Sequence, residues 1–328
     1  MNTTLKINNS LLNKKTSLFL LLLCLFVICI LSVFVGVKGF EFKKLYTGNI
    51  QSDLLLISRI PRTITLVLTG AGLSICGVIL QQISQNKFIS PTTAGTLDAA
   101  KLGILFGLFL FPGENMLLKL LFGVVFCFGL TAIFTFSIRR IVKRQTIMIP
   151  VLGVMYGYIL NSIANIIGVE LNIIQNMESW MVGNFAQSMQ GQYEIIYLIF
   201  PLGIICYLYA RKFTIVALGK AFSQNIGVNY TTIVNIGLLL TSIMVSTTIL
   251  TVGTIPFIDL IIPNLVSLIY GDDAHKNLPF IACFGSIALV LCDIIGRVII
   301  APYEIPTSMI IGSVGALIFL FILIKKNR

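Results

Sequence analysis

Uninterrupted apolar runs about as long as a bilayer core is thick constrain this chain more than any other feature. The first, Leu18 to Val37, contains no charged residue at all, and similar runs recur to the C-terminus. A run of about 20 apolar residues matches the ~30 Å hydrocarbon core when coiled as an α-helix. A transmembrane β-barrel would instead alternate apolar and polar residues over about ten positions. Charged residues make up 11% of the chain and apolar residues 57%, whereas soluble domains carry roughly 25% charged residues. The chain is therefore read as an all-α integral membrane protein.

About ten spans fit, near 17–37, 62–84, 92–111, 116–138, 146–168, 193–210, 229–250, 254–269, 278–298 and 307–325. Residues 1–16 form an N-terminal tail and 17–328 a single transmembrane domain. The first run is too long for the apolar core of a cleaved leader and lacks a small-x-small cleavage site, so it is expected to stay as a span. Placing both termini in the cytoplasm collects most basic groups inside, among them Lys14, Lys15, Lys87, Arg139, Arg140, Lys143, Arg144, Arg211, Lys212, Lys220, Lys276, Lys325, Lys326 and Arg328, as the positive-inside rule requires. The same rule accounts for the net charge of +11 without nucleic acid, since no basic, aromatic-interleaved segment lies outside the spans.

Arg59, Arg62 and Arg297 break the rule by falling at the outer face. They either snorkel to headgroups or form a basic patch for an acidic extracytoplasmic partner. Ionisable groups at membrane depth are costly and mark helix contacts or polar paths. Asp98 and Lys101 are spaced i,i+3, and Asp293 and Arg297 i,i+4, so each pair can meet on one helix face. Asp259 and Glu304 have no sequence-local partner. The second span places Gly70, Gly72, Ser74 and Gly77 along one side, a pattern suited to close helix packing. Spans two to five and seven to ten are offset by five, which would make an inverted repeat.

The inner segment Arg211 to Tyr230 is mildly amphipathic, with Gly219 and Gly227 as breakers. It is either a docking element or a plain connector. Trp180, in the outer loop 168–194, reads as an interfacial anchor. The seven cysteines lie within apolar runs with no C-x-x-C pair, and read as small buried apolar residues. The lone His275 beside Asp272 and Asp273 reads as a solvated turn. Phosphate-cradling loops, zinc-helix motifs and nucleophile elbows are all missing from the sequence, so no enzyme centre is expected.

Several blocks together give the chain a family likeness: Arg59-Ile60-Pro61-Arg62, Gly70 to Gln81, Asn86 to Gly95, Trp180-Met181-Val182-Gly183, Leu218-Gly219 with Asn225-Ile226-Gly227-Val228, Gly253 to Pro263, Gly271-Asp272, Leu278-Pro279, Asp293 to Arg297, and Glu304-Ile305-Pro306. In this order the chain resembles the permease subunits of type II ABC importers, the iron-siderophore, haem and cobalamin family. The resemblance implies a ten-helix permease in the cytoplasmic membrane of a bacterium. It would work as a dimer, powered by two ATPase subunits that use ATP and fed by an extracytoplasmic binding protein. This chain would bind no cofactor and no metal.

By the same resemblance, Arg59, Arg62 and Arg297 would meet acids of the binding protein. Leu218, Gly219, Lys220, Ala221, Asn225 and Gly227 would couple to the ATPase. Asp98, Lys101, Asp259, Asn264 and Glu304 are the polar candidates for the path. Where many relatives carry a proline-histidine pair, this chain has Pro263-Asn264, and Asp259 stands where a glycine is usual. These departures resemble the branch that imports ferric catecholate siderophores, petrobactin-like ligands included, which often pairs two different permeases. The alternatives are a haem or cobalamin permease, or an ion-coupled secondary transporter using Asp98, Lys101 or Glu304 as a relay.

Overall fold

The computed structural model describes residues 14–35, 55–111, 116–141, 148–300 and 302–326. The N-terminal tail before Lys14, the end of the expected first span beyond Val35, and Lys143, Arg144 and Arg328 lie outside the described residues, as do the side chains of Arg139, Arg140, Lys325, Lys326 and Trp180. Helix dominates throughout. The elements are α1 (Lys14–Phe34), α2 (Ile60–Ser84), α3 (Thr96–Leu110), α4 (Met116–Ile141), α5 (Met148–Glu170), α6 (Ile174–Met181), α7 (Ile199–Ala217), α8 (Lys220–Asn225), α9 (Tyr230–Val252), α10 (Ile258–Tyr270), α11 (Ala274–Val298) and α12 (Thr307–Lys326).

Among the described residues, seven helical segments are long and apolar enough to cross a membrane, and α10 and Thr307–Phe321 are shorter apolar segments. The helices found where spans were expected at 92–111 and 254–269 are shorter, α3 with 15 residues and α10 with 13. With 13 residues, α10 rises only about 20 Å. Both short helices start inside the bundle after a residue in the left-handed region, Gly95 at φ 69 and Phe257 at φ 68. Gly95 tolerates that conformation because it lacks a Cβ. Phe257 does not have that freedom, and it is held by close packing against Gly315, where an added Cβ would lie 2.9 Å from its own.

Helix α2 is the axis of the bundle and packs on α7, α9, α10 and α11. Its small residues explain how one helix serves four neighbours. A Cβ on Gly70 would lie 2.4 Å from the Gly285 carbonyl oxygen, and one on Gly77 only 1.8 Å from that of Asp259. Backbone thus meets backbone with no side chain between, the contact small residues permit where solvent-driven burial is unavailable. Pro61 in the first turn of α2 has no N–H to leave unpaired and carries a φ suited to a helix start.

The pairing of spans occurs twice. Helix α2 packs on α10 and α11, while α9 packs on α3 and α4. Likewise α3 meets α4 and α5, and α10 meets α11 and α12. This is the pattern expected for two four-span blocks offset by five. Helix α1 rests on α11 and turns Phe19, Leu23 and Phe26 outward, as a lipid-facing helix does.

One boundary is corrected. The sixth span was expected to end at 210, with a loop from Arg211. Helix α7 instead runs to Ala217, because no breaker occurs before Gly219, whose φ of +105 ends the helical path. The segment between α7 and α9 is correspondingly shorter.

Candidate functional site

Four charged side chains converge at one end of the bundle. The first turn of α2 supplies Arg62 and the last turns of α11 supply Asp293 and Arg297. The turn before α12 supplies Glu304, held by the Ile305 amide donating to the Gly296 carbonyl at 3.1 Å. Gly296 permits this return, since a Cβ there would come within 2.7 Å of the Ile305 oxygen. Arg62 contacts Asp293 at 2.7 Å and Glu304 at 2.8 Å, with side-chain exposures of 12%, 0% and 28% in that order. Arg297 reaches the other oxygen of Asp293 at 2.7 Å. Thr307 donates to Asp293 at 3.0 Å. Two cations and two anions balance, the condition under which buried charge is tolerable.

This geometry corrects the expected arginine patch. Arg297 is only 5% exposed. Besides Asp293, its guanidinium donates to the Ser32 carbonyl at 2.9 Å, the Ser32 hydroxyl at 2.7 Å and the Val35 carbonyl at 2.5 Å. It ties α1 to α11 and does not face an incoming protein. The i,i+4 spacing of Asp293 and Arg297 correctly pairs them. The carboxylate's second partner, Arg62, lies 231 residues away and is not visible in local spacing. Arg59 donates to the Val33 carbonyl at 3.1 Å.

Deeper in the bundle, Asp259 is fully buried at the start of α10. It accepts from the Thr92 amide at 2.7 Å and from the Thr92 hydroxyl at 2.9 and 2.8 Å. Asn264, one turn on, donates to the Lys87 carbonyl at 2.9 Å and to the Leu260 carbonyl at 2.7 Å. Lys87 pairs with Asp272 at 2.6 Å beyond the end of α10. Asp259 and Asn264, for which the sequence left helix contact and polar path both open, pin the link 85–95 to α10. Sequence reasoning missed Thr92; its signal is the hydroxyl run Ser90-Pro91-Thr92-Thr93 just before Gly95.

Lys101 lies in the second turn of α3 and is 8% exposed. Its Nζ donates to Asn161 Oδ1 of α5 at 2.6 Å. Asp98 nestles against Gly157 of α5, where a Cβ would be 2.5 Å from Asp98 Oδ2. Both residues therefore reach α5, a contact their i,i+3 spacing does not reveal.

At the opposite end, Gly219 turns the chain from α7 into the short helix α8. The Ser223 hydroxyl donates to the Gly219 carbonyl at 2.8 Å and the Ile215 carbonyl at 3.2 Å, anchoring α8 to the end of α7. Lys220, Ala221 and Asn225 are exposed on α8, and Gly227 closes it at φ +79. Leu218, Phe222 and Ile226 are exposed apolar residues on and beside α8. Phe222 was not singled out from the sequence, and Ile226 entered only within the block Asn225-Ile226-Gly227-Val228. Among the described residues no group of three or more His, Cys, Asp or Glu side chains could hold a metal ion.

Comparison with known proteins agrees with the fold. The chain is 45% identical over 308 residues to the petrobactin import system permease protein YclN of Bacillus subtilis, covering 94% of this chain and 98% of that protein. It is 41% identical over 311 residues to the ferric-anguibactin transport system permease protein FatD of Vibrio anguillarum, covering 94% and 99%. A solved structure described as the inward-facing conformation of a metal-chelate type ABC transporter superposes with a TM-score of 0.77, at 21% identity, covering 95% of this chain and all of that one. The model of the FecCD transport family matches residues 20–325, and the chain belongs to that family.

Proposed function

We propose that this chain is one permease of an ATP-driven importer that carries a ferric siderophore of the catecholate class into a bacterial cell. The observation that carries the reading is the extended likeness to permeases named for petrobactin and anguibactin transport, at 45% and 41% identity over nearly the whole chain. Both termini lie in the cytoplasm, by the distribution of Lys and Arg, so α8 faces inward and the Arg62 cluster outward. Two ATPase subunits dock on the inner face, a second and different permease completes the pathway, and an extracytoplasmic binding protein delivers the chelate.

The geometry supports a role for each end. The exposed apolar residues Leu218, Phe222 and Ile226 beside Lys220 offer a partner both apolar area and charge. Rigid anchoring through Ser223 passes a push on α8 into α7, which packs directly on α2. At the outer end Arg59 and Arg62 remain the docking cations, with Arg297 behind them as their support. An acid of the binding protein competes with Glu304 for Arg62, which loosens the turn between α11 and α12. The helices then shift between two packings, a rigid-body alternation rather than continuous deformation. Affinity resides in the binding protein, and this chain needs no tight site of its own.

Radio-iron uptake in a strain lacking this chain, offered a panel of ferric siderophores, tests the reading. The expected result is a loss of uptake confined to catecholate-type chelates and restored by the gene. A loss confined to haem or cobalamin would overturn the substrate class while keeping the importer.

A further inference from the structure

Gln85 closes α2 in a conformation that its residue type does not favour. It lies at φ 55 and is one of three non-glycine residues with positive φ among the described residues. Glycine fills such a position after many helices because it has no Cβ to strain. The glutamine side chain makes a contact that glycine could not. Its Nε2 donates to the Val216 carbonyl, in the last turn of α7, at 3.4 Å. The same carbonyl accepts from the Gly219 amide at 3.0 Å, a bond that closes the turn from α7 into α8. A Cβ on Gly219 would lie 3.8 Å from Gln85 Nε2, so the side chain borders that turn as well.

The residues that follow Gln85 bind three further helices. The Lys87 carbonyl accepts from Asn264 of α10 at 2.9 Å, and the Lys87 ammonium pairs with Asp272 at 2.6 Å. Phe88 meets Phe319 of α12 edge to face, with ring centroids 6.2 Å apart. The Thr92 amide donates to Asp259 at the start of α10 at 2.7 Å. A Cβ on Gly153 of α5 would lie 2.1 Å from the Thr93 carbonyl oxygen, so backbone meets backbone there too. Link 85–95 thus touches α5, α10 and α12, and Gln85 joins it to the turn before α8. Close-packed contacts of this kind pass strain on, because they have little compressibility.

We propose that Gln85 is a positioning residue for energy coupling, which hands a displacement of α8 to link 85–95 and through it to α5, α10 and α12. This rests on the reading that α8 receives the ATPase. It adds a second route beside the one from α7 into α2, and the two routes diverge at the Val216 carbonyl. A merely structural Gln85 would contribute only one hydrogen bond at the end of α2, and its replacement by glycine would leave coupling unchanged.

The test uses the complete transporter in proteoliposomes, with ferric catecholate uptake and ATP hydrolysis measured on the same vesicles. Gln85→Gly suits the left-handed backbone, so the variant is expected to keep the parent's melting temperature and its ATPase subunits. Chelate moved per ATP hydrolysed is expected to fall by about fivefold, the factor one neutral hydrogen bond is worth. Gln85→Arg restores a long donor and is expected to recover most of that ratio. Phe88→Leu removes the ring contact with Phe319 and is expected to lower the ratio by itself, yet to add little to Gln85→Gly, because both lie on one route. An unchanged ratio in Gln85→Gly, or full additivity of the two changes, would overturn the relay. Loss of the ATPase subunits from Gln85→Gly would overturn it as well, by making Gln85 part of the docking surface. A parent that accumulates the chelate without ATP would instead overturn the importer reading on which the relay rests.

Discussion

Replacing Asp293 by Asn changes one oxygen for one nitrogen at the centre of the charged cluster. Asp293 is wholly buried and contacts Arg62 and Arg297 at 2.7 Å each, and it accepts from Thr307 at 3.0 Å. The neutral amide leaves two guanidiniums facing each other with only Glu304 as counter-charge. Breaking a buried ion pair by removing one partner costs about 3–5 kcal/mol, and here one carboxylate serves two cations, so the upper part of that range applies. Glu304 is the internal control. It is 28% exposed and water can take its place beside Arg62, so Glu304→Gln is expected to cost about 1 kcal/mol or less. Thermal unfolding of the detergent-purified protein is the assay, with a drop on the order of 10 °C for Asp293→Asn and a small one for Glu304→Gln. The combined change Arg62→Met, Asp293→Leu and Arg297→Met removes the charges together and is expected to recover most of the lost stability without restoring uptake. An Asp293→Asn protein as stable as the parent, or one less perturbed than Glu304→Gln, would refute the account of this cluster.

Three further outcomes are expected. Gly77→Ala places a Cβ 1.8 Å from the Asp259 carbonyl oxygen, an obstacle that is backbone and cannot rotate away. α2 and α10 must part, at a cost of about 1–3 kcal/mol or more, read as a lowered melting temperature, and an unchanged one would refute the close crossing. Phe222→Asp puts a charge on the exposed apolar surface of α8 and is expected to weaken ATPase co-purification at least tenfold, while the permease stays folded; intact co-purification would remove Phe222 from the coupling surface. Partial burial raises the Asp273 carboxyl, but the hydrogen bonds and charge of Lys276 outweigh that and hold it below its ordinary value. A depressed pKa gives stability that is present above the unfolded value and lost as pH falls through the folded one. The melting temperature of the parent should therefore fall more steeply than that of Asp273→Asn between about pH 6 and pH 3, and parallel curves would refute the assignment.

The architecture was legible because bilayer thickness writes itself into the sequence as run length. The apolar helices, the small-residue face of α2 and the Asp293–Arg297 pair follow from run length and spacing along one helix. The length of α3 and α10 did not, since apolar run length does not report Gly95 or Phe257 turning the chain inside the bundle. The partners of Asp259, Lys101 and Arg62 lie 167, 60 and 231 residues away. Such contacts depend on helix packing, and no local period encodes them. Arg297 illustrates the consequence. Its place at a span end suggested an exposed cation, while the approach of α1 buries it.

The central claim is that this FecCD family permease passes a ferric chelate under the power of ATP. The most direct measurement is accumulation of radiolabelled ferric catecholate in proteoliposomes holding this chain, its partner permease, the ATPase pair and the binding protein, with and without ATP and an uncoupler. The account predicts accumulation that requires ATP hydrolysis and is indifferent to the uncoupler. Accumulation without ATP that collapses with the uncoupler would contradict it and make the chain an ion-coupled transporter.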